Sequence, residues 1–471
     1  MIADITICMD ILTSSWFATY FYSPVPLLAT ATEGETADSS LVLASVLLSL
    51  VVIYFASKLG GEICFRINLP PVLGELVGGV AVGVSALGLL VFPEGGFSAN
   101  DSLLMQFLQL TTEVTPEGLE AVFSSQGEVV SVLSELGVII LLFEIGLESD
   151  LKELIRVGPQ AAIVAVVGVV TPFALGTLGL VYGFNVPIVP AVFAGAALTA
   201  TSIGITAKVL AELGRLSSSE GQIIIGAAVL DDILGIIVLA VVASLVKTGE
   251  IQVFNILYLI VSAAIFLIGA ILLGRLLSPL YVKLVDEMKT RGQLLLVSIC
   301  FAFVLSYIAQ IIQLEGILGS FAAGLVLAET TKRHELEELI APISDIFVPI
   351  FFVCVGAKTD LSVLNPTVPS NREGLVLALF LIVVAIIGKV VTGFTILGKP
   401  DLNKLAIGVG MIPRGEVGLV FAGVGSASGA LSQSTEAAII MMVILTTFLA
   451  PPWLRMVFKE PAVSPQEQES S

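Results

Sequence analysis

The chain has 471 residues, of which 56% are hydrophobic and 13% charged, with a mean hydropathy of +1.04. A soluble globular chain is nearer about 25% charged, and the formal net charge of −18 is the wrong sign for a nucleic-acid binder. The apolar residues come in repeated runs of about twenty, the length a helix needs to cross a bilayer core. A β-barrel would show short alternating strands instead, so the expected fold class is an all-α polytopic membrane protein.

Residues 1–40 are apolar enough to touch membrane (ITICMDILTSSWFATYFYSPVPLLATA) but lack a basic n-region and carry Asp4, Asp10, Pro24 and Pro26. They read as an uncleaved peripheral or re-entrant extension. From residue 41 the hydropathy pattern predicts about 13 spans, near 41–57, 72–92, 129–146, 160–181, 187–209, 222–246, 253–280, 294–314, 316–329, 346–357, 374–397, 404–428 and 436–458. Residues 93–128, acidic and without lysine or arginine, read as a long external loop. Residues 459–471 read as a polar, disordered cytoplasmic tail.

The basic residues alternate with this count. Lys58 and Arg66 follow span 1, Lys152 and Arg156 span 3, and Lys208 and Arg215 span 5. Arg275, Lys283, Lys289 and Arg291 follow span 7, Lys332 and Arg333 span 9, Lys399 and Lys404 span 11, and Arg455 and Lys459 end span 13. Only Lys247 and Arg372 fall on the other side, with Lys358, Lys389 and Arg414 in or at the edge of spans. The positive-inside rule then places the N-terminus outside and the C-terminus in the cytoplasm.

Span 6 (IIIGAAVLDDILGIIVLAVV) carries Asp231 and Asp232 at mid-depth. An aspartate at a helix centre costs about 2.5–3.5 kcal/mol on insertion scales, and such acids usually mark an ion or proton path. Span 5 is interrupted by Thr199, Ala200, Thr201, Ser202 and Gly204, and span 12 by Pro413, Arg414, Gly415, Glu416 and Gly418. Proline and glycine weaken a helix, and paired interruptions in matching places of two halves point to an inverted-repeat transporter with a midplane site. Span 11 carries Lys389, which needs a counter-charge that Asp231 or Asp232 can supply.

Other readings stand beside these. The Thr199–Ser202 cluster reads equally as helix-packing polarity, Lys389 as a snorkelling lysine, and Arg414 with Glu416 as an internal salt bridge. Lys358 reads as a snorkelling residue at a span end, His334 as a solvated loop residue, and Glu75 and Glu144 as packing or hydrogen-bonding acids. Cys8, Cys64, Cys300 and Cys354 show no metal or disulfide spacing. No HExxH, GxSxG or phosphate loop supports an enzyme, and no cofactor is expected beyond the transported ions.

At these residues the chain resembles the monovalent cation:proton antiporters, in particular the bacterial sodium/proton type with adjacent aspartates. The resemblance runs over residues 41–458 through INLPPVLGELVGGVAVG, LGVIILLFEIGLESDL, LTATSIGITAKVLAELG, AAVLDDILGIIVLAVV, ILGSFAAGLVLAE and IGVGMIPRGEVGLVFA. It implies a homodimer in which one part makes the dimer contact and the other holds the ion site where two broken helices cross, here Thr199–Ser202 and Pro413–Glu416. It implies Asp232 as the essential cation- and proton-binding acid, Asp231 as its neighbour and Lys389 as the lysine that pairs with Asp231. Two aspartates imply electrogenic exchange of two protons against one Na+. Thr201, Ser202 and freed carbonyls would complete the Na+ shell. K+/H+ exchange and, less well, a cation channel are the alternatives, with Li+ a further substrate. The expected membrane is the bacterial inner membrane or, for a cyanobacterial chain, the thylakoid.

Overall fold

A computed structural model describes residues 38–458 apart from 113, 249–252, 313, 365–368, 398 and 428. The expected N-terminal extension, but for its last three residues, and the expected tail lie outside the described residues. Among the described residues every regular element is helical.

Two short surface helices, α3 (Leu103–Thr111) and α5 (Leu151–Arg156), interrupt a series of apolar ones. The apolar helices are α1 (Ser39–Arg66), α2 (Pro71–Val82), α4 (Pro116–Glu148), α6 (Gly158–Phe184), α7 (Ile188–Ala197), α8 (Ile203–Glu212) and α9 (Ser219–Thr248). They continue as α10 (Val253–Glu287), α11 (Gln293–Ile311), α12 (Gly316–Ala328), α13 (Arg333–Ala357), α14 (Pro369–Phe394), α15 (Lys404–Gly410), α16 (Glu416–Ala427) and α17 (Gln433–Val457). By length and apolar composition 8 helices qualify as membrane-crossing among the described residues: α1, α4, α6, α9, α11, α13, α14 and α17. The expected count of 13 goes beyond these, because it includes shorter helices and the broken pairs.

Helix packing sorts these elements into two modules. A panel consists of α1, α2, α4, α11, α12 and α13. A core module consists of α6, α9, α14, α17 and the short pairs α7/α8 and α15/α16. α10 packs on α12 and reaches α9, so it links the two. Inside the panel, glycines let backbones touch. A Cβ on Gly146 of α4 would lie 2.4 Å from the Phe321 carbonyl of α12, and one on Gly324 would lie 2.2 Å from the Phe143 carbonyl. Small residues at such crossings give membrane helices their van der Waals contact, since lipid supplies no hydrophobic drive between them. The outer surface is apolar: Phe55, Leu59 and Ile63 form one face of α1 at 67%, 51% and 60% exposure. That i, i+4, i+8 stripe suits lipid rather than water.

Three sequence expectations are corrected. Residues 93–128 are not an open loop: α3 and the first turns of α4 bury Leu104, Met105, Leu108, Leu119, Val122 and Phe123 in a small core of their own. α13 begins at Arg333 rather than near 346, so His334 is in its first turn, exposed and 3.0 Å from Glu337, not in a loop. Span 2 stops at Val82, ten residues short of the expected 92, where Gly83 turns extended (ψ −166°). In each case polar residues outside the apolar stretch continue a helix, or a glycine ends one, and hydropathy alone sees neither.

Candidate functional site

The two interrupted spans are interrupted in the structure. α7 ends at Ala197 and α8 begins at Ile203; α15 ends at Gly410 and α16 begins at Glu416. The freed backbone groups between them find partners across the crossing. Ser202 N–H donates to the Pro413 carbonyl at 2.9 Å. The Thr201 hydroxyl lies 3.2 Å from the Met411 carbonyl, and the Thr206 hydroxyl donates to the Gly410 carbonyl at 2.9 Å. Arg414 Nη1 donates to the Ala200 carbonyl, and Thr447 donates to the Arg414 carbonyl. Unwound backbone within a membrane is tolerated only where such partners exist.

Four helix ends therefore meet at one depth. The N-terminal ends of α8 and α16 present positive partial charge and the C-terminal ends of α7 and α15 negative partial charge. Beside them lies α9 with the acid pair. Asp231 is fully buried and Asp232 is 3% exposed. Lys389 on α14 donates to Asp231 Oδ2 at 2.8 Å, with both side chains at 0% exposure. Thr201 donates to the same oxygen at 2.5 Å. Asp231 Oδ1 has no hydrogen-bond partner among the described residues. Room for Lys389 comes from Gly168 on α6, where a Cβ would lie 3.2 Å from Nζ.

The structure thus brings together Asp231, Thr201, Lys389, Pro413 and Arg414, with Ser202 bonded through its backbone. Lys389 is a buried ion-pair partner, not a snorkelling lysine. Thr199 is buried in the break, but its hydroxyl donates to the Ala196 carbonyl at the end of α7 at 2.7 Å. Glu416 opens α16; its side chain lies outside the described residues. Lys358, read as snorkelling, is ion-paired with Glu94 at 2.7 Å. Sequence reasoning missed Thr206, a threonine one turn past the break, and Glu315, an acid two residues ahead of the ILGSFAAGLVLAE run.

Two cavities approach this crossing. A cleft of about 710 Å³ between panel and core has Glu94, Glu135 and Asp360 among its lining and reaches Arg414, Gly415 and Thr447. A small cavity of about 10 Å³ is lined by Thr201, Ser202, Asp232, Glu315 and Gly415, among others. Gly415 borders both. On the opposite, basic face the modules touch: Glu212 at the end of α8 accepts from Val72 N–H in the first turn of α2 at 3.2 Å. Glu75 nearby accepts from Ser57 at 3.0 Å.

Paired broken helices crossing beside buried acids and a buried lysine in a membrane-spanning bundle define an ion-coupled secondary transporter. The comparisons agree. The transmembrane sodium/hydrogen exchanger family matches residues 45–460, and the chain belongs to that family. It is 77% identical over 434 residues, covering 92% of this chain and 94% of the relative, to the high-affinity Na(+)/H(+) antiporter NhaS3 of Synechocystis sp.. It is 32% identical to the Na(+)/H(+)-K(+) antiporter GerN of Bacillus cereus, over 87% of this chain and 95% of that one. The sodium proton antiporter MjNhaP1 from Methanocaldococcus jannaschii, solved at pH 8, shares the fold with a TM-score of 0.58 at 19% identity, over 88% of this chain and 98% of that chain.

Proposed function

We propose that this protein exchanges Na+ for H+ across a membrane, with the two ions competing at Asp231 and Asp232. The observation that carries this is the fully buried Lys389–Asp231 pair next to Asp232 at the crossing of the broken helices. Hard carboxylate oxygens, the Thr201 and Ser202 hydroxyls and carbonyls of the unwound segments suit a small, partly dehydrated cation. Na+ arriving at the acids displaces the proton they hold, and Lys389, relieved of Asp231, gives up a second one. Protons returning from the other side expel Na+ and restore the pair. An empty site with both acids charged is too costly to carry past the apolar barrier, which enforces exchange rather than leak.

Moving two protons against one Na+ makes the cycle electrogenic. The core module rocks against the panel, and two copies pair through their panels. The basic loops face the cytoplasm, so the 710 Å³ cleft opens outward in this state and the Glu212–Val72 contact closes the cytoplasmic side. The membrane is the bacterial inner membrane or the thylakoid. K+ as an additional substrate is favoured by the likeness to GerN, whose name includes K(+). A cation channel would give the lysine–aspartate pair no task.

Everted vesicles carrying a pH gradient test the reading. Na+ dissipates the gradient with the wild type and not with Asp232→Asn. Dissipation by K+ alone would replace the substrate, and full exchange by Asp232→Asn would overturn the site.

A further inference from the structure

The small cavity beside Asp232 has a wall that does not belong to the core. Thr201, Ser202, Asp232 and Gly415 come from core helices and their breaks, whereas Glu315 comes from the panel. Its depth follows from α12. That helix has 13 residues, which rise about 20 Å at 1.5 Å per residue. Just past its far end, on the basic face, Arg333 opens α13 and donates to the Glu148 carbonyl at 3.0 Å. The bilayer core is about 30 Å thick, and Glu315 lines the same cavity as Asp232, which stands midway along α9, so the turn at Glu315 lies inside the membrane. An ionisable side chain at that depth is costly and calls for a task.

The cavity volume of about 10 Å³ is that of a single water-sized occupant. A carboxylate on each side, one per module, suits one partly dehydrated monovalent cation. Because Asp232 rides on the moving module and Glu315 on the panel, their juxtaposition holds in one state of the cycle and is lost when the core moves.

We propose that Glu315 is a cation-binding residue of the cleft-open state: it adds a panel carboxylate to the Asp232 site and makes the affinity for Na+ higher on the acidic face, where the cleft opens, than on the basic face. This rests on the reading of Asp232 as the cation acid. The device is a ligand that the core leaves behind, so that the cation is released more readily on the basic face and captured more tightly on the acidic face.

The test uses the full chain in right-side-out and everted vesicles, with the apparent KM for Na+ measured from each face for the wild type, Glu315→Gln, Glu315→Asp and Asp232→Asn. Glu315→Gln is expected to raise KM at the acidic face by about 10-fold or more, the scale on which a lost supporting group weakens a metal site, and to leave KM at the basic face unchanged. Glu315→Asp, which keeps the charge, is expected to lie between the two. Should Glu315→Gln fail to reach the membrane, Glu315→Asp still decides: a rise confined to the acidic face supports the inference, and no rise overturns it. An equal rise on both faces, or none, overturns it as well. Exchange retained by Asp232→Asn would instead overturn the underlying site, which separates the two failures.

Discussion

Lys389 Nζ and Asp231 Oδ2 lie 2.8 Å apart with neither side chain reaching solvent, which makes this ion pair both a structural risk and a store of coupling. Removing one partner of a buried pair costs about 3–5 kcal/mol, because the other charge is left uncompensated, whereas replacing both by well-packed apolar residues of similar volume is often near neutral. Lys389→Met should therefore lower the thermal stability of the purified protein, and the double variant Asp231→Leu/Lys389→Met should recover most of that loss. Thermal unfolding in detergent at one pH checks this; a double variant no better than the single would show that the pair is not coupled.

Gly415 borders both the wide cleft and the small cavity. A Cβ there would stand 2.9 Å from Ser202 Oγ and 3.0 Å from Ser202 Cβ. Gly415→Ala should narrow the connection between them, with an overpacking cost of about 1–3 kcal/mol. The expected result is folded protein with slower Na+-driven proton movement, read as initial rate in vesicles at matched expression.

On the basic face, Glu212 of the core holds Val72 N–H of the panel at 3.2 Å, and the helix N-terminus there favours a carboxylate. A hydrogen bond of this kind contributes about 0.5–1.5 kcal/mol. Glu212→Ala should therefore shift the population toward opening on this face. Cys64, 7% exposed and next to the start of α2, where its carbonyl accepts from Leu69 N–H at 2.8 Å, should then be modified faster by a water-soluble thiol reagent added from the basic face, with the site read by mass spectrometry.

Competition between Na+ and H+ at the same carboxylates has a fixed sign. Metal ligands must be deprotonated to bind, so acidification withdraws the site from Na+. In the acid range the apparent KM for Na+ should rise about tenfold per pH unit for each competing proton, with maximal rate at saturating Na+ changing less. A KM that stays flat across that range would contradict competition.

What was legible in the sequence was whatever breaks an apolar run. Asp231, Asp232 and Lys389 stand out as charges among twenty-residue apolar stretches, and Pro413–Gly415 and Thr199–Ser202 as weak points in two of them. The helix ends were less legible. α4 begins at Pro116, well before the expected 129, because its polar turns pack on neighbours: Gln126 is 2% exposed and donates to Ser49 of α1 at 3.0 Å. Glu315 went unnoticed because it precedes a short span and looks like a loop acid; only the three-dimensional depth of the α11–α12 turn brings it to Asp232.

The central claim, that Na+ displaces protons from the Asp231/Asp232 site, is tested most directly by proton release. Purified protein in weakly buffered detergent solution receives Na+ while pH is followed, with Na+ binding measured in parallel by calorimetry. The wild type should release protons as Na+ binds, and Asp232→Asn should lose both the binding and the release. Na+ binding by the wild type with no proton released would contradict the account.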